Sequence, residues 1–540
     1  MKPVSSENNL LNSRPFFLIL TLAAGLIILA PHADYIRFLA QGDHGRDLYS
    51  FKKTFEGALP YKDYFTQNGP LMPYYYSLIY LVKGVSIQST LLGYNLLILL
   101  AGVFLFLACS TFLLPFPSFL CALWYWSFRG DEFFYTFNHV GVFVFMLASL
   151  TFLFRYIKNP LRSLALGGGL LLIPAMLIRP NIGAACLAAF LISLVCADRK
   201  LNPSSQKKNA LLYLLGASIL AFAVFILYFI LVKVSPQAAL THDLAYYWKA
   251  IHPEKIGHNF ILACRIAFSF VSLTWTQRFV SLLFFIFAVR GVAVWRTNLI
   301  SREEKAAFSL VFLSLGLFLA FVSLEFFLGT IWFRWIWTLP LIILILFFVL
   351  ELGLKQTSAW IRHAVHVLLL VVCFVALRNQ ALETASHKNL YNRLMVGAND
   401  IYVSSDQGPQ WTFPVMLAGD FIQKNTSPDE KIVTLPYDPL YYFLSGRDSA
   451  RRELSFWGIN ADRDEPHLIR EIEEKNVNLI LISNRAFRCA DPRFGQMGKR
   501  YGKKFLKYLD ENFEAAATFG PWDAPAYWVR NHAVRIYLRK

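Results

Sequence analysis

Long apolar runs with almost no charge recur through the first 378 residues, and nothing else in the chain constrains it as much. Crossing a bilayer as a helix takes about 20 mostly apolar residues. Runs of that kind lie at 15–31, 90–113, 115–129, 138–156, 162–178, 182–198, 210–233, 277–296, 306–328, 332–353 and 361–378. Two weaker stretches lie at 70–82 and 259–274. In lipid a segment must satisfy its own backbone polar groups, so these runs are read as helices. Charged residues make up 16% of the 540, and hydrophobic residues 56%. Soluble domains are roughly 25% charged. The sequence predicts a polytopic α-helical membrane protein.

The charge is unevenly placed. Residues 1–378 carry 30 Lys/Arg and 15 Asp/Glu, whereas 379–540 carry 22 and 20. We therefore expect a transmembrane domain at 1–378 and a soluble α/β domain at 379–540. The basic excess sits in loops between apolar segments. Lipid headgroups and topology explain it better than nucleic acid does. Of seven cysteines only Cys489 lies in the tail, and no metal-ligand spacing occurs.

Lys/Arg bias sets orientation. Basic loops stand at Arg155/Lys158/Arg162, Arg199/Lys200/Lys207/Lys208, Arg290/Arg296/Arg302/Lys305 and Lys355/Arg362. Placed inside with Lys2 and Arg14, they alternate correctly if 70–82, Pro-punctuated and Tyr-rich, lies at the interface. The expectation is eleven crossings, a cytoplasmic N-terminus, a first outer loop at 32–89 and a tail outside. The first span is read as an uncleaved anchor. In the tail, helices are expected at 411–424, 464–475 and 498–512. Strands are expected at 431–435, 477–483 and 515–519, with a closing hairpin at 526–530/533–539.

The outer polar segments hold the candidate chemistry. Asp43 and Asp47 share one face if 44–56 is helical, with Arg46 on nearly the same side. One reading is a carboxylate that takes a hydroxyl proton beside a base that holds an anion. The other is that Asp43 caps the helix and Asp47 is solvated. Lys62-Asp63 reads as a turn with an exposed ion pair, and Gln67-Asn68-Gly69-Pro70 as a turn onto the interfacial helix. Arg129, Asp131, Glu132 and His139 form a second outer cluster: a polar turn between two helices, or a second wall of the same site. Asp131 and Glu132 with Asp43 have the residue types for a divalent cation, but no metal or other cofactor is assigned. Arg334 stands among aromatics, as an interfacial anchor or a holder of lipid phosphate.

These features resemble the GT-C superfamily of membrane glycosyltransferases. The likeness is nearest to bacterial relatives of glycosyltransferase family 39, the protein O-mannosyltransferases, and of the aminoarabinose transferase. It rests on Asp43-His44-Gly45-Arg46-Asp47, on Glu56-Gly57-Ala58-Leu59-Pro60-Tyr61-Lys62-Asp63-Tyr64 and on Asn68-Gly69-Pro70-Leu71-Met72-Pro73-Tyr74. Arg334 with Pro340, Pro428–Val433 and Tyr442–Arg447 also look like family elements. The resemblance implies a multi-pass protein of the bacterial inner membrane with a periplasmic C-terminal domain. It also implies inverting transfer of one sugar from a polyprenyl phosphate to a glycan, lipid or protein hydroxyl. Asp43 matches the catalytic aspartate. Arg46, Lys62, Arg129 and Arg334 are candidates for the donor phosphate. His44, Asp47, Asp63, Asp131, Glu132 and His139 are candidates for support or acceptor binding. His44 stands where the family usually has Glu. Three competing readings are a polysaccharide polymerase or ligase with a lipid-diphosphate donor, a transporter or lipid flippase, and a non-catalytic assembly factor. The spans hold few ionisable residues in their middles, which disfavours transport.

Overall fold

A computed structural model describes residues 13–64, 66, 68–127, 137–201, 216, 219–220, 223–224, 226–234, 275–297, 300–328, 338–355, 357–456, 461–485, 497–499, 501–524 and 531–540. Its contacts divide the chain into two units. One comprises Met1–Ala30, Leu96–Asp131 and Asn138–Ala381; the other comprises Pro31–Asn95, Glu132–Phe137 and Leu382–Lys540.

The first unit is helical. Helix α1 (Arg14–Leu29) opens with Pro15, which suits a first turn where the missing N–H is not needed. Its buried residues Phe17, Thr21, Gly25 and Leu29 recur every fourth position and form one stripe. The opposite face leaves Ile19, Leu26 and Ile27 exposed, as a lipid-facing helix does. Next come α2 (Asp43–Phe55), α3 (Leu71–Lys83), α4 (Ile87–Cys109) and α5 (Pro115–Ser127). Of these, α2 and α3 belong to the second unit. The fully buried Trp126 of α5 lies in a slot that Gly25 and Gly102 leave open, since a Cβ at either would come within 2.8 Å of its ring. Helix α6 (His139–Lys158) is followed by a broken pair, α7 (Arg162–Leu170) and α8 (Leu172–Ile178), where one continuous span was expected. Then follow α9 (Pro180–Leu201) and helices Trp275–Arg296, Arg302–Leu328, Leu339–Leu354 and Ala359–His387. Among the described residues six helices are long and apolar enough to cross a bilayer. Parts of the expected spans at 210–233 and 332–353, and all of 259–274, lie outside the described residues.

The second unit holds two sheets. In the smaller one β1 (Tyr35–Ile36), from just after α1, runs parallel to β3 (Asn399–Val403), which pairs antiparallel with β2 (Arg393–Val396). The larger has the order β5 (Asp448–Ser449), β4 (Lys431–Leu435), β6 (Leu479–Ser483), β8 (Val534–Arg539), β7 (Phe513–Phe519). Strands β5, β4 and β6 are parallel, and β8 and β7 close the sheet antiparallel. Val433, Ile480 and Ile482 from this sheet pack with Leu468, Ile472 and Phe505 from helices Ala461–Glu474 and Lys503–Asn512. The expected strands at 431–435, 477–483 and 515–519 and all three tail helices are present. The expected helix at 498–512 starts only at Lys503, because Gly502 before it takes a left-handed φ of 72°. Strand β8 fulfils the second half of the hairpin; 526–530 lies outside the described residues.

Helix α3 has 13 residues. That is about 20 Å, too short for a hydrocarbon core of about 30 Å. It buries Met72, Tyr76 and Tyr80 and exposes Leu78, Leu81 and Val82, so it is two-faced in the way an interfacial helix is. Helix α2 approaches helix Leu440–Ser445 almost backbone to backbone. A Cβ on Gly45 would meet the Leu440 backbone nitrogen at 2.3 Å, and one on Gly42 would meet the Tyr437 ring at 2.5 Å.

Replacing Gly45 with Val should lower stability by about 3 kcal/mol, because the obstacle is main chain and cannot swing aside. Gly316, whose Cβ would meet nothing within 4 Å, provides the control: Gly316→Ala should leave the unfolding midpoint of the detergent-purified protein unchanged or slightly raised.

Candidate functional site

The segment before α2 is fixed by hydrogen bonds from the C-terminal part of the chain. The Leu39 N–H donates to Gln407 Oε1 at 2.8 Å, and Gln407 Nε2 donates back to the Leu39 carbonyl at 3.0 Å. The Leu440 N–H donates to the Gln41 carbonyl at 3.1 Å. Gln41 Nε2 donates to Nδ1 of the buried His532 at 3.2 Å, and Tyr441 meets its Nε2 at 2.9 Å. Burial, with Arg485 adding to it, pushes the His532 imidazole down to about 3, so it is a neutral strut. Nδ1 accepts from Gln41, which leaves the proton on Nε2 to be donated to Tyr441.

On this support α2 begins. Its N-cap is Gly42, and Asp43 sits in the first turn without a capping hydrogen bond. The capping reading of Asp43 is therefore replaced by another. Its Oδ1 accepts from the Tyr437 hydroxyl at 2.9 Å and from Arg46 Nη1 at 3.4 Å. Its side chain is 55% exposed, and among the described residues Oδ2 takes no hydrogen bond. Burial pushes the Asp43 carboxyl up, but Arg46, the Tyr437 hydroxyl, Arg485 and His44 outweigh it and hold the group below the usual carboxylate range. Asp43 is thus an ionised carboxylate with one oxygen tied and one oxygen presented.

Asp47 differs. Its side chain is 2% exposed, not solvated, and its Oδ1 accepts from Arg46 Nε at 3.2 Å and Nη2 at 3.0 Å. Arg46 also reaches the Tyr437 oxygen from Nη1 at 3.2 Å. One guanidinium therefore links both aspartates and the tyrosine. His44 is buried, packs its ring 5.0 Å from that of Phe137 and accepts the Ala40 N–H on Nδ1 at 2.9 Å. It braces the turn into α2.

Tyr437, Asp438 and Arg485 were not foreseen from the sequence. Tyr437 and Asp438 follow the carboxyl end of β4, and Arg485 follows that of the neighbouring parallel strand β6. The crevice beyond the carboxyl ends of parallel strands is where open α/β sheets bind ligands. The available signal was Pro436-Tyr437-Asp438-Pro439, a turn placed directly after a predicted strand. Arg485 Nη1 donates to the Tyr437 carbonyl at 2.6 Å, and its guanidinium lies 5.7 Å from the centre of the Tyr437 ring. Asp438 is fully buried, accepts from the Ser483 hydroxyl at 2.6 Å and lies 3.9 Å from Arg485. Burial raises its carboxyl above the ordinary range despite Arg485 and Ser483.

The turn 57–70 belongs to the same unit. Tyr61 takes a φ of 67°, unusual for a bulky residue. Its hydroxyl donates to the Asn68 carbonyl at 2.6 Å, and Arg452 donates to the Tyr61 carbonyl. Lys62 is exposed with no partner among the described residues, so the expected ion pair with Asp63 is not formed. Asp63 instead accepts the Leu59 N–H at 2.7 Å, closing the turn. His139 belongs to the helical unit, where it is buried against Arg179. Arg129, Asp131, Glu132 and Arg334 lie outside the described residues. Among the described residues no group of three metal-ligand side chains is present.

No family model and no curated protein matches the sequence. Solved structures do match. ArnT from Cupriavidus metallidurans bound to undecaprenyl phosphate superposes with a TM-score of 0.60 at 10% identity, over 96% of this chain and 98% of that one. Its apo state gives 0.57 at 12%, over 96% and 97%. The chain has the GT-C fold. The archaeal oligosaccharyltransferase AglB from Archaeoglobus fulgidus, in complex with an inhibitory peptide and a dolichol-phosphate, gives 0.50 at 12% identity, over 87% of this chain and 69% of that one. With its apolar helices, the chain is a multi-pass membrane protein.

The two aspartates should separate on mutation. Asp47→Ala strands a buried guanidinium and should cost about 3–5 kcal/mol. Asp43→Asn keeps the shape of a half-exposed group and should cost about 1 kcal/mol or less. Thermal unfolding of the two variants in detergent checks the split; equal losses would contradict these assignments.

Proposed function

We propose that this chain is a glycosyltransferase that moves one sugar from a polyprenyl-phosphate donor to a hydroxyl acceptor, with inversion at the anomeric carbon. The observation that carries the reading is Asp43: an ionised, half-exposed carboxylate with one oxygen held by Tyr437 and Arg46 and the other open. It stands in a fold shared with ArnT bound to undecaprenyl phosphate. The AglB structure in complex with a dolichol-phosphate supports a lipid-linked donor from a second direction.

In the reaction the acceptor oxygen attacks the sugar C1 as the C1–O bond to the lipid phosphate breaks. The hydroxyl proton passes to Asp43 Oδ2 and then to solvent. Negative charge gathers on the departing phosphate, where fixed cations stabilise the transition state. We assign that task to Lys62, Arg129 and Arg334, with Arg46 contributing through the field it shares with Asp43. His44, Asp47 and Asp63 position the site. A low pKa weakens Asp43 as a base but keeps it ionised at neutral pH. The proton then moves late, as the attacking oxygen gains positive charge. The topology that fits is eleven crossings of a bacterial inner membrane, with the N-terminus inside and the C-terminal domain in the periplasm.

Cells expressing Asp43→Asn should lose the glycan product by roughly 10²-fold or more and accumulate the lipid-linked sugar. An active Asp43→Asn enzyme overturns the proposal. The acid limb of activity follows ionisation of Asp43, so activity falls as pH drops through its lowered pKa. Tyr437→Phe removes a hydrogen bond that lowers that pKa and should move the limb to higher pH, as pH–rate profiles of the two enzymes would show.

A further inference from the structure

A cavity of about 470 Å³ lies within the helical unit, at the ends of α1, α4, α6 and α7. Its lining combines bases and hydroxyls with apolar side chains. The polar side chains stand at helix ends: Arg14 in the first turn of α1, Ser110 and Thr111 just past α4, and Arg155 and Lys158 in the last turn of α6. Apolar side chains, Leu18 of α1, Phe106 and Leu107 of α4 and Leu164 of α7, line the rest of it. Three bases and no acid line this space. Among the described residues neither Arg14 nor Arg155 has a carboxylate partner. Lys158 donates to the Thr111 carbonyl at 2.8 Å, which anchors one base at the rim.

A ligand for this space must carry negative charge at one end and hydrocarbon at the other. The neighbouring α1 turns Ile19 and Leu26 outward, so such a ligand can arrive from the lipid side. We propose that the cavity binds the phosphate headgroup of an anionic phospholipid, with Arg14, Arg155 and Lys158 on the phosphate and Leu18 and Leu164 against the first part of the acyl chain. Basic pockets between membrane helices on the cytoplasmic side hold anionic headgroups by this division of labour. The site shares no residue with the Asp43 cluster, so it stands or falls independently of the transfer reaction.

Native mass spectrometry of the detergent-purified full chain, titrated with phosphatidylglycerol or phosphatidylcholine, tests it. The wild type should retain phosphatidylglycerol and shed phosphatidylcholine. R14Q/R155Q should weaken phosphatidylglycerol retention roughly 30-fold, since each base near a headgroup contributes about a factor of five. R14K/R155K, which keeps the charge, should stay within a few-fold of wild type. Equal retention of the two lipids by the wild type, or unchanged retention by R14Q/R155Q, overturns the proposal. Full displacement of phosphatidylglycerol by millimolar inorganic phosphate also overturns it, because the ligand would then be free phosphate. The wild-type selectivity requires no variant, so misfolding of R14Q/R155Q leaves the test intact.

Discussion

The Arg46 guanidinium is the constraint around which the second unit is arranged. A buried cation requires compensation from groups placed to meet it, because its desolvation cost is several kcal/mol. Asp47 meets one edge, while Asp43 and the Tyr437 hydroxyl meet another. Two of those partners lie on α2 itself; the third is brought from the carboxyl end of β4. That approach needs α2 to come against residues 437–440 with no side chain between, hence Gly42 and Gly45. Arg485 then holds Tyr437 from behind, and His532 holds Gln41. Removing the charge would leave each of these neighbours without its reason for being where it is.

The aspartates show how one environment yields two roles. Both lie on α2 and both touch Arg46. Asp47 is sealed in and spends its charge on the fold. Asp43 stands one turn earlier, at the helix mouth, where half its surface meets solvent. Its carboxylate is oriented by protein on one side and open on the other, the disposition a reacting group requires.

Much of the membrane part was legible in the sequence because lipid imposes a length and a polarity on every span. Helices α1, α4, α6 and α9 follow directly from apolar runs, and 162–178 misled only in hiding a break at Leu171. In the tail, Lys431–Leu435 and the Leu-Ile-Leu-Ile core of β6 announced themselves by composition. Asp43 could be singled out and α2 placed to within a residue. Burial of Asp47 could not, since a charged residue beside Arg46 on a short polar helix looks solvated until the tertiary fold closes over it. Tyr437, Arg485 and His532 were hidden for a related reason. They are polar residues at strand ends, where no periodicity marks them and only the sheet order brings them together. Pairing of β1 with β3 is likewise invisible locally, as two residues carry no strand pattern.

That last pairing has a consequence for the life of the chain. Tyr35 meets Tyr402, Leu39 is held by Gln407, and Gln41 by His532, so the segment before α2 finds its partners only in residues made far later. Such separations are slow to close. During most of translation α2 has its charges but neither its glycine-fitted neighbour nor the hydroxyl that aims Asp43. A chain made only that far can already occupy a membrane while the Asp43 carboxylate still lacks the hydroxyl that orients it.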